Sequence, residues 1–175
     1  MGRISMIDPA TAESQVQEIF AEINTAFGRI PNLFKTYAHH PPLLDANWNK
    51  VKRVMVEGVL ARKVKESIAV LISKDNSCRY CIAAHEGALQ SIGIDPEEIR
   101  LIETDLDRAD FTSKEKALIK LARKANSAPL QVADDDIAAA RTAGATDSEI
   151  IEALGVMELF TSFNKFLDAL QVDLG

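Results

Sequence analysis

Apolar residues recur every three or four positions along nearly the whole chain, the spacing that lines one face of an α-helix. Val16, Ile19, Phe20, Ile23 and Phe27 mark a first helix, which Gly28 ends. The stretch GRIPNLFKTYAHHPPLL reads as a connector with one short helical turn, its prolines restricting the backbone. A helix over 43–58 carries Trp48, Val51, Val54 and Met55, and another over 64–76 turns Ile68, Leu71 and Ile72 inward. Asn76 or Ser77 is a good N-cap for the next helix, which runs to Gly93. Further helices are predicted over 95–104, 113–126, 133–143 and 147–170. No stretch reads as a strand, so the predicted fold class is all-α.

The helical pattern partly repeats. KESIAVLISKDNSC, from Lys65, resembles KEKALIKLARKANSA, from Lys114, with one residue inserted. ALQSIGIDPEEI likewise matches AARTAGATDSEI further on, with Gly93 opposite Gly144 and Ile99 opposite Ile150. An offset of roughly 50 residues is the scale of a helical hairpin, and two copies predict a compact pseudo-symmetric bundle rather than a solenoid. The expected organisation is a single domain over 1–175. Within it, 1–58 form an N-terminal helical extension, 59–110 a first repeat and 111–175 a degenerate second repeat.

Composition narrows the function without naming it. With 47% hydrophobic and 26% charged residues, the 175-residue chain is long enough to bury its own core. A net charge of −6 offers nucleic acid no basic footprint. No apolar run approaches the ~20 residues that span a bilayer, and the opening MGRISMIDPATAES lacks the apolar core of a secretory signal. The expected location is the cytoplasm, where a lone cysteine pair points to catalysis or metal binding rather than a structural staple.

Both cysteines lie in SCRYCIAAHE, residues 77–86, and the second copy has no counterpart for them. On a helix, Cys78 and Cys81 share a face, with His85 one turn beyond Cys81. Helix-dipole reasoning favours Cys78 as a thiolate near the helix start, with Arg79 adding positive charge. Proximity to His85 favours Cys81, because the imidazole supplies a base as well as a field; the reading follows the histidine. A pair with one activated sulfur reduces a peroxide or a disulfide and closes as an internal disulfide. Glu66, on the preceding helix, is placed to orient His85 or relay its proton. Its counterpart Glu115 follows Thr112 by three residues and makes a capping box, whereas Glu66 has Lys63 at that spacing. Zinc held by Cys78, Cys81, His85 and Glu66 is the competing reading, weakened because no second Cys or His pair is present. A helical oligomer with inert thiols is another. His39 and His40 read as loop residues, Trp48 as core or interface, and residues 134–136 (DDD) as a solvated helix start. Asn164, in the last helix, reads as packing or hydrogen-bonding near a subunit contact, at a place the sequence does not fix.

Glu66, eleven residues, then Cys78-x-x-Cys81-x-x-x-His85 resembles the signature of the AhpD-like superfamily, which holds alkylhydroperoxidase AhpD and carboxymuconolactone decarboxylase. RIPNLFKTYAHHPPLLDANW and FTSFNKFLDALQVDL resemble the flanks of its longer, peroxidase-related members. The resemblance implies an all-helical subunit assembling into trimers or hexamers. It also implies hydroperoxide reduction with Cys81 attacking, Cys78 resolving and a Glu66–His85 proton relay. It implies no cofactor and no metal, and a dithiol or lipoylated protein as reductant. AhpD proper has a second histidine just before the second cysteine, where this chain has Tyr80, a secondary site candidate able to hydrogen-bond. Decarboxylation is disfavoured, because that branch does not depend on the redox pair.

Overall fold

The apolar stripes become nine α-helices among residues 2–174, which the computed structural model describes: α1 (Ser14–Phe27), α2 (Asn32–Tyr37), α3 (Pro41–Val51), α4 (Arg62–Asp75), α5 (Arg79–Ser91), α6 (Pro96–Thr104), α7 (Ser113–Ser127), α8 (Asp134–Thr142) and α9 (Asp147–Leu170). A π-helical turn (Lys52–Val56) prolongs α3, and a 3-10 turn (Pro129–Gln131) precedes α8. No strand occurs among the described residues, and the all-α expectation holds.

Helix α4 is the hub. Ten consecutive residues, Val64 to Ser73, are buried, so it is enclosed on every side rather than lying on a surface by one apolar stripe. It packs against α5, α7 and α9. From α9, Ala153, Val156, Leu159, Phe163 and Leu167 fill the other side of this core. Helices α1 and α3 pack together around Trp48, whose indole N–H donates to Glu22 at 2.9 Å while the edges of Phe27 and Phe34 meet its ring. The tryptophan is therefore a core residue.

Local signals set several helix ends as expected. Gly28 closes α1 in the left-handed region (φ 70°). Thr112 and Glu115 close a capping box on α7, and Thr146 and Glu149 close one on α9. Asp134, Asp135 and Asp136 form the first turn of α8. His40 caps α3, its ring accepting from the Leu43 N–H, and His39 bonds the Ser5 carbonyl at 2.7 Å.

Two boundaries differ from expectation. The predicted helix over 43–58 starts earlier, because Pro41 and Pro42 suit the first turn, where no backbone donor is needed. Its end unwinds into the π turn, with the Glu57 N–H reaching the Lys52 carbonyl. The chain then passes Gly58 at φ 100°, where a Cβ would lie 2.2 Å from a Glu152 oxygen and 2.9 Å from the Lys65 ammonium. Only glycine lets the backbone come this close to that ion pair. The second difference lies at the cysteines.

Candidate active site

Helix α5 does not begin at Asn76 or Ser77. Ser77 takes a left-handed conformation (φ 62°) that closes α4, and the Cys78 N–H folds back onto the Ser73 carbonyl at 2.9 Å. Cys78 is thus the N-cap itself, and Cys81 is the third residue of the helix. The reversal needs a left-handed residue between the two helices, and Ser77 supplies it, moving the helix start past the serine. Both cysteines are free thiols, Cys78 fully buried and Cys81 3% exposed.

The two sulfurs are neighbours and titrate as a pair. The Cys78 side chain makes no cap hydrogen bond at the start of α5. Its thiol is nevertheless lowered, first because the Cys81 thiol donates to it and then, against burial, by the Cys81 backbone N–H; Asp168 on α9 opposes this. The same S–H···S contact, reinforced by burial, pushes the Cys81 thiol far up, while Asn164 and Ser73 act to lower it. The contact therefore favours loss of the Cys78 proton and holds the Cys81 proton in place.

One turn beyond Cys81, the His85 ring bonds Glu66 through Nδ1 at 2.7 Å. The carboxylate accepts there, so Nδ1 carries a proton and the other ring nitrogen, Nε2, is the one left to exchange a proton with a substrate or thiol. Burial works to raise the Glu66 carboxyl, but the hydrogen bond and charge of His85, with Arg62 at 3.3 Å, outweigh it and hold the group below the ordinary carboxylate range. Phe160 of α9 meets the imidazole edge to face at 4.3 Å and fixes its plane. Unlike Glu115, Glu66 caps nothing; its partner is the histidine. Tyr80 directs its hydroxyl to the Leu33 N–H, from which it accepts at 3.2 Å; burial, and the nearby Cys81, raise its pKa.

Sequence reasoning left one group of residues unplaced. Asn164 is fully buried, its amide donating to Ser73 Oγ at 3.1 Å and accepting from Asn76 at 3.0 Å. Asn76 and Asn126, which occupy matching places in the two related stretches, exchange amide hydrogen bonds, and Thr161 donates to Asn126. These partners lie up to 91 residues apart; the only local sign was the repeated Asn-Ser at 76–77 and 126–127. His39 and His40 are engaged in the N-terminal region instead. Among the described residues, no group of three or more His, Cys, Asp and Glu side chains is arranged to hold a metal ion, so Cys78, Cys81, His85 and Glu66 do not converge as zinc ligands.

Residues 41–124, which hold both cysteines, His85 and Glu66, match the model of the carboxymuconolactone decarboxylase family. Over that stretch, just under half of its length, the chain is AhpD-like. An AhpD-core, peroxidase-related protein from Ralstonia eutropha JMP134 superposes with a TM-score of 0.88 at 24% identity, over 99% of this chain and 92% of that one. The debrominase Bmp8, solved with 2,3,4-tribromopyrrole, has the same fold (TM-score 0.85, 15% identity, 98% and 91% covered). The alkyl hydroperoxide reductase Rv2159c of Mycobacterium tuberculosis is 28% identical over 93 residues. That alignment takes in 53% of the AhpD-like chain but only 27% of its relative. Among the described residues, no helix of this AhpD-like protein is long and apolar enough to cross a membrane.

Proposed function

We propose that this AhpD-like protein is a thiol-dependent peroxidase, with disulfide reduction as the return half of its cycle. The observation that carries the reading is a buried dithiol with His85 one helical turn along α5, the imidazole hydrogen-bonded to Glu66 of α4. The proposed attacking sulfur is Cys81. Of the two sulfurs Cys78 is favoured as the anion and Cys81 holds its proton, so Cys81 must lose that proton to attack, and His85, one turn away, is the proposed base. Glu66 stabilises the resulting imidazolium.

The Cys81 thiolate attacks the distal peroxide oxygen. The O–O bond breaks, the alkoxide takes the imidazolium proton and leaves as an alcohol, and Cys81 becomes a sulfenic acid. The Cys78 thiolate then attacks the Cys81 sulfur; the S–O bond breaks, and hydroxide takes a proton to leave as water. The peroxide is reduced by two electrons and the pair becomes a disulfide. An external dithiol, free or carried by a lipoylated protein, reopens it and is itself oxidised. A low Cys78 pKa suits this return, since the less basic sulfur leaves faster.

The test is turnover of cumene hydroperoxide with dihydrolipoamide, coupled to sulfenic-acid trapping. Wild type is expected to turn over, and Cys81→Ser to lose activity. Cys78→Ser is expected to trap one sulfenic acid, at Cys81. Equal turnover by wild type and Cys81→Ser overturns the assignment; trapping in Cys81→Ser but not Cys78→Ser reverses the order of the sulfurs. On assembly, a homo-oligomer of three or six subunits in the cytoplasm is the arrangement proposed from the resemblance, checked by light scattering and fractionation.

A further inference from the structure

The buried amides around the pair have a direction. Ser73 donates its hydroxyl proton to the Ala69 carbonyl at 2.7 Å, so its oxygen is left to accept, and Asn164 Nδ2 supplies that bond. Asn76 Nδ2 donates to Asn164 Oδ1. Rotating the Asn164 amide by half a turn would set two acceptors face to face at Ser73 and two N–H groups face to face at Asn76. The N–H side of Asn164 is therefore locked toward Ser73. Behind Asn76 the lock continues through the reciprocal bonds with Asn126 and the Thr161 hydroxyl. An Nδ2 group carries two hydrogens and Ser73 takes one. The Cys81 sulfur lies against both the Asn164 and Ser73 side chains. All three residues are almost completely enclosed, where a donor aimed at a developing anion is worth more than in water.

We infer that Asn164 donates its second amide hydrogen to Cys81 Sγ and stabilises that sulfur as a thiolate, with Asn76, Asn126 and Thr161 holding the amide in the donating orientation. The S–H···S contact favours Cys78 as the anion at the expense of Cys81, so Cys81 needs a donor other than its twin to become anionic, and α9 supplies one. The other titratable groups facing the pair are Tyr80, whose phenol interacts with Cys81, Asp168 of α9, which acts on Cys78, and His85 one turn along α5. Of the α9 side chains that act on either sulfur, Asn164 favours the anion and Asp168 opposes it. The inference rests on the thiol reading above only in taking Cys81 as the sulfur that reacts.

The experiment isolates that sulfur in Cys78→Ser protein and follows its alkylation by iodoacetamide from neutral to alkaline pH, with no peroxide or reductant present. Adding Asn164→Leu is expected to move the titration midpoint up by about one unit, slowing alkylation at neutral pH roughly tenfold, and to leave the limiting rate at high pH unchanged. Asn76→Ala, which removes only the anchor of the amide, is expected to give a smaller shift the same way. A folded Asn164→Leu protein whose midpoint has not moved overturns the inference. If that variant does not fold, the smaller Asn164→Ala, which removes the donor without adding a charge, decides: a raised midpoint supports the donor role and an unmoved one overturns it. Peroxidase activity enters nowhere, so this result and the turnover test fail independently.

Discussion

Glu66 is enclosed by α4's neighbours, and burial alone favours its neutral form. His85 and Arg62 reverse that preference, which makes the carboxylate a sensitive probe of the pair. Glu66→Gln keeps the shape but removes the charge that stabilises an imidazolium, and we expect kcat to fall roughly 10²-fold or more. The folded-state pKa of Glu66 is depressed, so its contribution to stability is present above its ordinary value of 4.5 and is lost as pH falls through the lower folded value. Urea titrations should therefore show Glu66→Gln destabilised by about 1–3 kcal/mol at neutral pH, with the gap from wild type narrowing below pH 4.5. A gap independent of pH would mean that the charge is not what stabilises. Much of this was legible in the sequence, because Glu66 lacks the capping partner that Glu115 has, and His85 follows Cys81 by one helical turn. Asn164 was not legible. Its partners come from α4, and nothing within its own helix marks it out from any other buried amide.

At the level of elements, spacing predicted the helices well but misplaced the ends that answer to distant groups. The π turn and Gly58 follow from an ion pair between α4 and α9, and the start of α5 follows from a left-handed serine that closes α4. Neither has a period to read. Gly58 and Gly144 separate the two costs of replacing glycine. Both have positive φ, but a Cβ at Gly144 meets nothing within 4 Å whereas one at Gly58 runs into Glu152 and Lys65. Gly144→Ala should cost about 1–2 kcal/mol in urea unfolding, the backbone term alone. Gly58→Ala should cost clearly more and, if Glu152 is displaced, should also loosen the loop after the π turn to proteolysis. Equal costs would mean that the Glu152 side chain moves aside freely.

Across the whole molecule, α4 is held from every side, and its one buried cation ties the two halves of the sequence together. The Lys65 ammonium bonds Glu152 at 2.7 Å and also the Glu57 carbonyl, while Glu152 accepts from the Val59 and Leu60 N–H groups. Lys65→Met leaves Glu152, partly buried, with only the Val59 and Leu60 N–H groups for partners, and should cost about 1.5–3 kcal/mol. Lys50→Met, which breaks the exposed pair with Glu158, should change stability by at most about 1 kcal/mol in the same denaturation series. If the two matched, the α4–α9 ion pair would not be acting as an anchor.

The sulfurs sit at the meeting point of these helices with almost no surface of their own. A dithiol so enclosed reacts only when its walls breathe, and the size of the opening then sorts the reagents. Methyl methanethiosulfonate should modify the native pair well before the bulky aromatic disulfide of Ellman's reagent does, and the two should even out once denaturant dissolves the walls. By the same filter, small or slender oxidants reach the dithiol while large oxidised proteins are kept at arm's length, unless they bring a thin, flexible arm of their own.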